Sequence, residues 1–493
     1  VPAARTADPN DTGSSSRTSA SSQSGSSSRP LLGRRWEWWW GPAAGAAPFL
    51  LAITVLGRSA QNMGQTTYPL IARQLLDFSN TLVGTVTAVA GLAGVLTAAT
   101  LAARSTAKSA LPMLAIGQSL VLASFVLFAL PTGAVGLWAG ALVLGVGGGL
   151  VFPAAMTWIG TGPPEKRARA LAIFAVSLSI GLVVGPLVES GVLHLLGNSL
   201  RSTFAAMLPL PALATALSVA GARNRSAKRP ARQTDHWSDE DPAGASNGPG
   251  RPVRDGVLPE GLPGPRHRTS SGIDQERPGV RPTDQPENPP VAPRRLLGIP
   301  AYRLSLATML TYQAPFAALV TFGGLLARHV DGASAAGVEL AFGVFFAVSL
   351  GVRGVVVAAA PIRHQRTVLA FAVLATATGV GILGSGTGTL ALLGGMAILG
   401  APHGLTFPMA SAVLAEGVSP AILGRANGRL MASTNLVTIV VPFACGWLAG
   451  AVGYRAMFLF LEIPVVVFGL ILASALRSFH PPDRLVAAPG PRR

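Results

Sequence analysis

Gly145-Val-Gly-Gly-Gly149-Leu150-Val-Phe152-Pro153 returns later in the chain as Gly400-Ala-Pro-His-Gly404-Leu405-Thr-Phe407-Pro408. Both stretches end in Gly-Leu-x-Phe-Pro, and both lie inside long apolar runs. Pro153 and Pro408 are 255 residues apart, as are Ala72-Arg73 and Ala327-Arg328, while Arg169-Ala170 and Arg425-Ala426 are 256 apart. Ala/Gly-rich sequence can imitate a repeat, but a shared pentapeptide at matching positions in two halves is hard to obtain that way. Six-helix duplications are typical of secondary transporters, which bind substrate between the halves and expose it alternately to each side.

Working outward from the repeat, apolar runs fill almost everything between Gly45 and Leu476. A helix needs about 20 mainly apolar residues to cross the hydrocarbon layer. The runs divide into spans at 45–73, 81–103, 110–130, 137–160, 170–192, 203–220, 301–328, 337–360, 366–384, 388–412, 431–450 and 456–475. Only 12% of residues are charged, against about 25% in soluble domains, and the mean hydropathy is +0.48. The fold class this predicts is an all-α membrane protein of twelve transmembrane helices in two pseudo-symmetric six-helix bundles.

The formal charge of +17 does not imply a nucleic-acid partner, because the basic residues sit in tails, a central segment and turns on one side. Cytoplasmic turns carry Arg104, Lys108, Lys166, Arg167, Arg169, Arg363, Arg366, Arg425 and Arg429; the opposite turns carry Arg73, Arg201, Arg328 and Arg455. By the positive-inside rule both termini are cytoplasmic, in a multi-pass protein of the cell membrane. The expected organisation is a disordered tail over 1–44, a bundle over 45–221, a disordered linker over 222–296, a second bundle over 297–476 and a tail over 477–493. Trp36, Trp38, Trp39 and Trp40 follow Arg34 and Arg35 and read as an interface anchor. Cys445 is the only cysteine, so no internal disulfide or thiolate metal cluster is expected; it reads as a small apolar helix residue.

These features resemble the major facilitator superfamily over nearly all of residues 45–476. The resemblance implies a central cavity lined chiefly by helices one, four, seven and ten, with rocker-like alternating access. The family joins helices two and three by a Gly, an Asp-Arg pair and a Gly-Arg-Arg cluster. Here the acidic position falls on Arg104 and the glycines on Thr100 and Ala107, while Lys108 keeps the basic character. The turn thus lacks the carboxylate of a cytoplasmic latch, and its charge reads as a topology signal. The Gly-Pro element of helix five fits better: Gly181-Leu-Val-Val-Gly185-Pro186-Leu-Val-Glu189. In the family it is an antiporter feature; read from the residues alone, the two glycines are equally a helix-packing face and Pro186 a bend.

Arg58, Gln61 and Asn62 lie together in helix one. An intramembrane Arg is costly and faces protein or a wet cavity. The cluster is either a substrate contact or an internal pair with Glu189 or Glu462. Gln313 is expected across the cavity from it, on helix seven. His403, between Pro402 and Gly404 on helix ten, can bind substrate or carry a proton, or be structural. Tyr68 and Tyr312 lie on cavity helices with their facing open. Glu189, His403 and Glu462 are the proton-coupling candidates; Glu339 and Glu416 read as solvated span ends. Gly181, Gly185, Pro186, Pro153 and Pro408 are the structural or gating candidates. No HExxH, CxxC, Walker-type or GxSxG pattern occurs, so neither enzyme, metal nor cofactor chemistry is expected. The expected function is proton-coupled export of a small organic molecule by a monomeric carrier. Uptake of a small anion or metabolite, or a non-transporting receptor or scaffold, are the alternatives.

Overall fold

A computed structural model describes residues 47–101, 104–106, 108–160, 164–227, 296–359 and 364–478. The Trp cluster, Arg363, most of the central linker and both tails lie outside these residues. Val1–Pro48 and Phe49–Arg493 are separate units; the fold below is that of the second.

Regular structure among the described residues is helical. In hydrocarbon every backbone donor and acceptor needs a partner in its own segment, which a helix supplies. The order is α1 (Ala47–Gln74), α2 (Asn80–Thr100), α3 (Ala110–Ala129), α4 (Gly133–Gly160) and α5 (Pro164–Leu195). Next comes α6, in two pieces (Leu200–Ala206 and Pro209–Ala227). Helix α7 runs through Pro300–Ala318, a π turn over Leu319–Gly323, and Gly324–His329. The chain ends with α8 (Ala335–Ala358), α9 (Gln365–Ser385), α10 (Gly388–Gly417), α11 (Pro420–Phe460) and α12 (Glu462–Ser478). Turn chemistry punctuates them: the Ser79 side chain caps α2 by accepting from the Leu82 amide, and Gly197 and Asn198 reverse the chain after α5 with φ of 61° and 63°.

By length and composition, ten segments are apolar enough to cross a membrane. The difference from twelve has two causes. Helix α1 carries Arg58, Gln61, Asn62 and Gln65, which lower its hydropathy. Ile422–Arg477 counts as one segment of 56 residues, several times what a single crossing requires at about 1.5 Å per residue. It is broken at Gly453, whose φ of 83° is not helical. The molecule is an all-α, many-helix membrane protein.

The sequence repeat has a counterpart in packing. Side chains at Gly145 and Gly149 of α4 would run into the carbonyls of Ala90 and Gly94 of α2; side chains at Gly400 and Gly404 of α10 would run into those of Phe345 and Ser349 of α8. All four glycine positions and all four carbonyl positions are related by the same 255-residue shift. The turns repeat too. Arg73 donates to the Phe78 carbonyl at 3.2 Å and Arg328 to the Ala333 carbonyl at 3.1 Å. The Phe78 amide reaches the Ala72 carbonyl as the Ala333 amide reaches that of Ala327, both at 3.0 Å.

Residues 47–227 and 296–478 meet at the end that the charge pattern assigns to the exterior. Arg328 donates to Gln74 at 3.1 Å, Tyr454 to Asn80, and the Ala336 amide to Asn198 at 2.9 Å. Ser190 donates to the Ala336 carbonyl at 2.8 Å. Gly84 of α2 and Gly446 of α11 pass so closely that their Cα atoms crowd each other's missing side chains; Gly84 also lies against the Pro442 carbonyl. Asp331 pairs with Arg455 at 3.5 Å.

Candidate functional site

Helix α5 seats α1. A side chain at Gly181 would meet Arg58 Cβ and the Val55 carbonyl at 2.8 Å, and one at Gly185 the Ser59 carbonyl at the same distance. Into this contact Ser59 donates to the Gly181 carbonyl at 3.0 Å and Asn62 Nδ2 to the Leu182 carbonyl at 3.2 Å. Leu182 is four residues before Pro186, so its carbonyl is the one that proline leaves without a helical donor. Asn62 supplies the missing hydrogen bond. The Gly-Pro element is therefore a packing and hydrogen-bonding seat for α1.

Arg58 projects on from that seat and reaches Gln61 Oε1 at 3.5 Å. A second guanidinium faces the same region from α8. Arg353 donates to Ser179 Oγ of α5 at 3.1 Å and to the His403 carbonyl of α10 at 3.4 Å. Arg58, Arg353 and His403 lie within electrostatic reach of one another. No carboxylate among the described residues comes within ion-pair distance of either arginine, which removes Glu189 and Glu462 as partners of Arg58. The His403 ring sits among aromatic rings: Phe316 at 4.6 Å and nearly parallel, Phe345 at 5.2 Å, Tyr312 at 5.6 Å and Phe346 at 5.7 Å. Gln61 Nε2, the Tyr312 hydroxyl and Arg353 Nε are buried without a hydrogen-bond partner. Arg58, Phe316, Arg353 and His403 are each only partly buried. Two unpaired cations, open donors and a flat apolar wall can hold a polar or anionic head beside an apolar body.

Other sequence candidates go elsewhere. Gln313 donates to Thr438 of α11 at 2.9 Å; beside Tyr312, it is rotated from that ring by about 100° around the helix. Glu462 lies against Gly381 of α9, apart from this cluster. Tyr68 stacks on Phe128 at 5.9 Å. Pro153 and Pro408 stand one turn beyond the close-packed Gly149 and Gly404, in mid-helix. Cys445 is buried in α11.

Glu339 is a correction. It is not a solvated span end but fully buried, as is Glu189. The two carboxyls, one from α5 and one from α8, meet at the same hydroxyl of α1. Thr67 of α1 bridges them, with Oγ1 2.5 Å from Glu189 Oε1 and 3.3 Å from Glu339 Oε1; Thr66 Oγ1 is 3.2 Å from Glu339 Oε2. The sequence signal for Arg353 was the one used for Arg58, a lone arginine in an apolar run. For Glu339 there was none, since only the packing of α8 on α5 turns it inward. Among the described residues no group of three or more His, Cys, Asp or Glu could hold a metal.

A sequence profile described as the Major Facilitator Superfamily matches residues 49–362 and 304–492. No curated protein sequence matches. Solved structures with a similar fold include the nucleoside transporter NupG (14% identity, TM-score 0.57, 88% of this chain and 99% of that one). Another is a bacterial homolog of the human lysosomal transporter Spinster, inward-facing and unoccupied (14%, TM-score 0.59, 88% and 98%). A POT family transporter in complex with 5-aminolevulinic acid is also similar (12%, TM-score 0.59, 88% and 97%).

Proposed function

The chain belongs to the major facilitator superfamily of membrane transporters, and from that premise we propose that it exports a small organic molecule by proton-coupled alternating access. Its helices are read here as twelve crossings in two six-helix halves, monomeric, with both termini in the cytoplasm. One observation carries the substrate site. Arg58 from the first half and Arg353 from the second converge, with no acid partner among the described residues, beside the aromatic ring cluster around His403. Cross-half hydrogen bonds gather at the end assigned to the exterior, which supports an inward-open state, one that a carrier visits whichever way it transports. The motive for export is the family resemblance of the α5 Gly-Pro element, whose residues also seat α1.

Uptake of a small anion is the second reading, and the two arginines favour it. A receptor or scaffold without flux is the third. Purified protein in vesicles, assayed by counterflow with a panel of organic anions, neutral metabolites and drug-like cations, separates them. Counterflow of any member supports a carrier, and the sign of net flux under an imposed proton gradient gives direction. Binding without flux across the panel would sink the transporter reading.

A further inference from the structure

We propose that Glu189 and Glu339 share one proton through Thr67 and form a clasp that closes the exterior end between α5 and α8, so that losing this proton opens it. The inference rests on the transporter reading above and names where the coupled proton resides.

Hydrogen-bond stoichiometry carries the argument. A threonine hydroxyl has one proton to give and lone pairs to accept with. The Thr67 hydroxyl donates to Glu189 Oε1 across the shorter contact. Its contact with Glu339 Oε1 at 3.3 Å then needs a proton on the glutamate. A carboxylic acid on Glu339, donating to Thr67, which donates to a carboxylate on Glu189, satisfies both contacts in one chain. Glu189 Oε2 is buried without a partner.

Nothing nearby compensates two negative charges. Toward the pair α1 contributes only the hydroxyls of Thr66 and Thr67, and no cation among the described residues is within ion-pair distance of either glutamate. Charged groups at the same end of the neighbouring elements are engaged elsewhere or lie at the surface. Arg73 holds the Phe78 carbonyl, Arg328 holds Gln74 and the Ala333 carbonyl, and Asp331 holds Arg455. The His329 ring lies against Tyr454, Arg201 lines a crevice with Gln74, Asn198 and Arg328, and Asp77 and His194 are exposed. Two ionised carboxylates buried around one hydroxyl, with no cation beside them, repel strongly. The singly protonated pair is cohesive instead. One face of it is α5 with Ser190 bonded to Ala336, the other α8, so separation of the carboxyls separates the halves. The closed state holds one proton more than the open one; proton concentration therefore favours closure.

The test needs no substrate, so its failure and that of the transporter reading remain distinguishable. Spin labels at Leu195→Cys and Leu390→Cys, both highly exposed, in a Cys445→Ala background report the exterior separation by pulsed electron resonance in nanodiscs. From mildly acidic to mildly alkaline pH, the unmutated clasp should shift from a short to a long distance. Glu189→Gln or Glu339→Gln replaces the shared proton with a neutral amide donor, so either should hold the short distance at every pH. Infrared spectra of protein with both glutamates intact should also show a buried carboxylic-acid carbonyl band, absent in Glu339→Gln; this second reading stands even if the other variant folds poorly. A distance that ignores pH with both glutamates present, a pH response that survives in both Gln variants, or no such band would overturn the proposal.

Discussion

Asn62 and Pro186 should behave as one unit, which a double-mutant cycle can measure. Pro186 deprives the Leu182 carbonyl of its helical donor, and Asn62 Nδ2 replaces it at 3.2 Å in a buried contact between α1 and α5. Leaving a buried acceptor unpaired costs about 1–3 kcal/mol, while side-chain hydrogen bonds between membrane helices average about 0.6 and reach about 1.7 kcal/mol. Asn62→Leu, which keeps the volume, should therefore lower stability by about 1–1.5 kcal/mol on those scales. Pro186→Ala restores an amide that can bond Leu182 itself. In that background, Asn62→Leu should cost about 1 kcal/mol less, because the carbonyl stays satisfied. Reversible unfolding of the detergent-solubilised protein by a denaturing detergent, followed by circular dichroism, gives all four corners. A coupling below about 0.3 kcal/mol, within the usual scatter of additivity, would refute the idea that Asn62 serves the proline's orphan.

Gly149→Val and Gly404→Val should each abolish stable expression, because the added side chain meets backbone of α2 or α8; Gly148→Ala, with open space around it, should express normally on immunoblots and elute as a single species. Arg58→Ala and Arg353→Ala should each reduce counterflow at least about tenfold at matched abundance, the scale of one lost charge-assisted hydrogen bond. Arg58→Lys should keep part of the flux for a simple anion and little for a planar bidentate one; normal flux in both alanine variants would make the arginines structural. Gln313→Ala should leave flux nearly intact, since its amide is bound to Thr438. Tags before Arg34, within 240–280 and after Pro481 should report the cytoplasm, and one in 331–336 the exterior; an exterior report from the central segment would overturn the orientation.

Much of the fold was legible because lipid imposes long apolar runs and short basic turns, and the Gly-Leu-x-Phe-Pro repeat tied the two halves together. The repeat said more than the pattern alone suggested, since its glycines mark where α4 and α10 press on α2 and α8. Individual sites were less legible for a geometric reason. Which way a side chain points depends on helix rotation, and rotation is fixed by contacts hundreds of residues away. Arg58 could be singled out as a lone charge in an apolar run, yet Gln313, on a helix of the same kind, faces α11. Glu339 looked like a span end in the sequence and is sealed by α5. Asn62 read as a candidate for substrate, whereas the Leu182 carbonyl claims its amide.

The close passage of Gly84 past Gly446 gives the exterior end an asymmetry. Gly84 and Glu339 are 255 residues apart, the spacing of the repeat, so they are counterparts on α2 and α8. Each sits where its half crosses a helix of the other, Gly84 against α11 and Glu339 against α5. Backbone pressed on backbone has nothing to ionise and no side chain to swing, so the α2–α11 crossing has no proton to lose. The two repeat-related crossings are thus unequal: one is fixed by backbone against backbone, and the other carries two buried carboxyls that can gain or lose a proton.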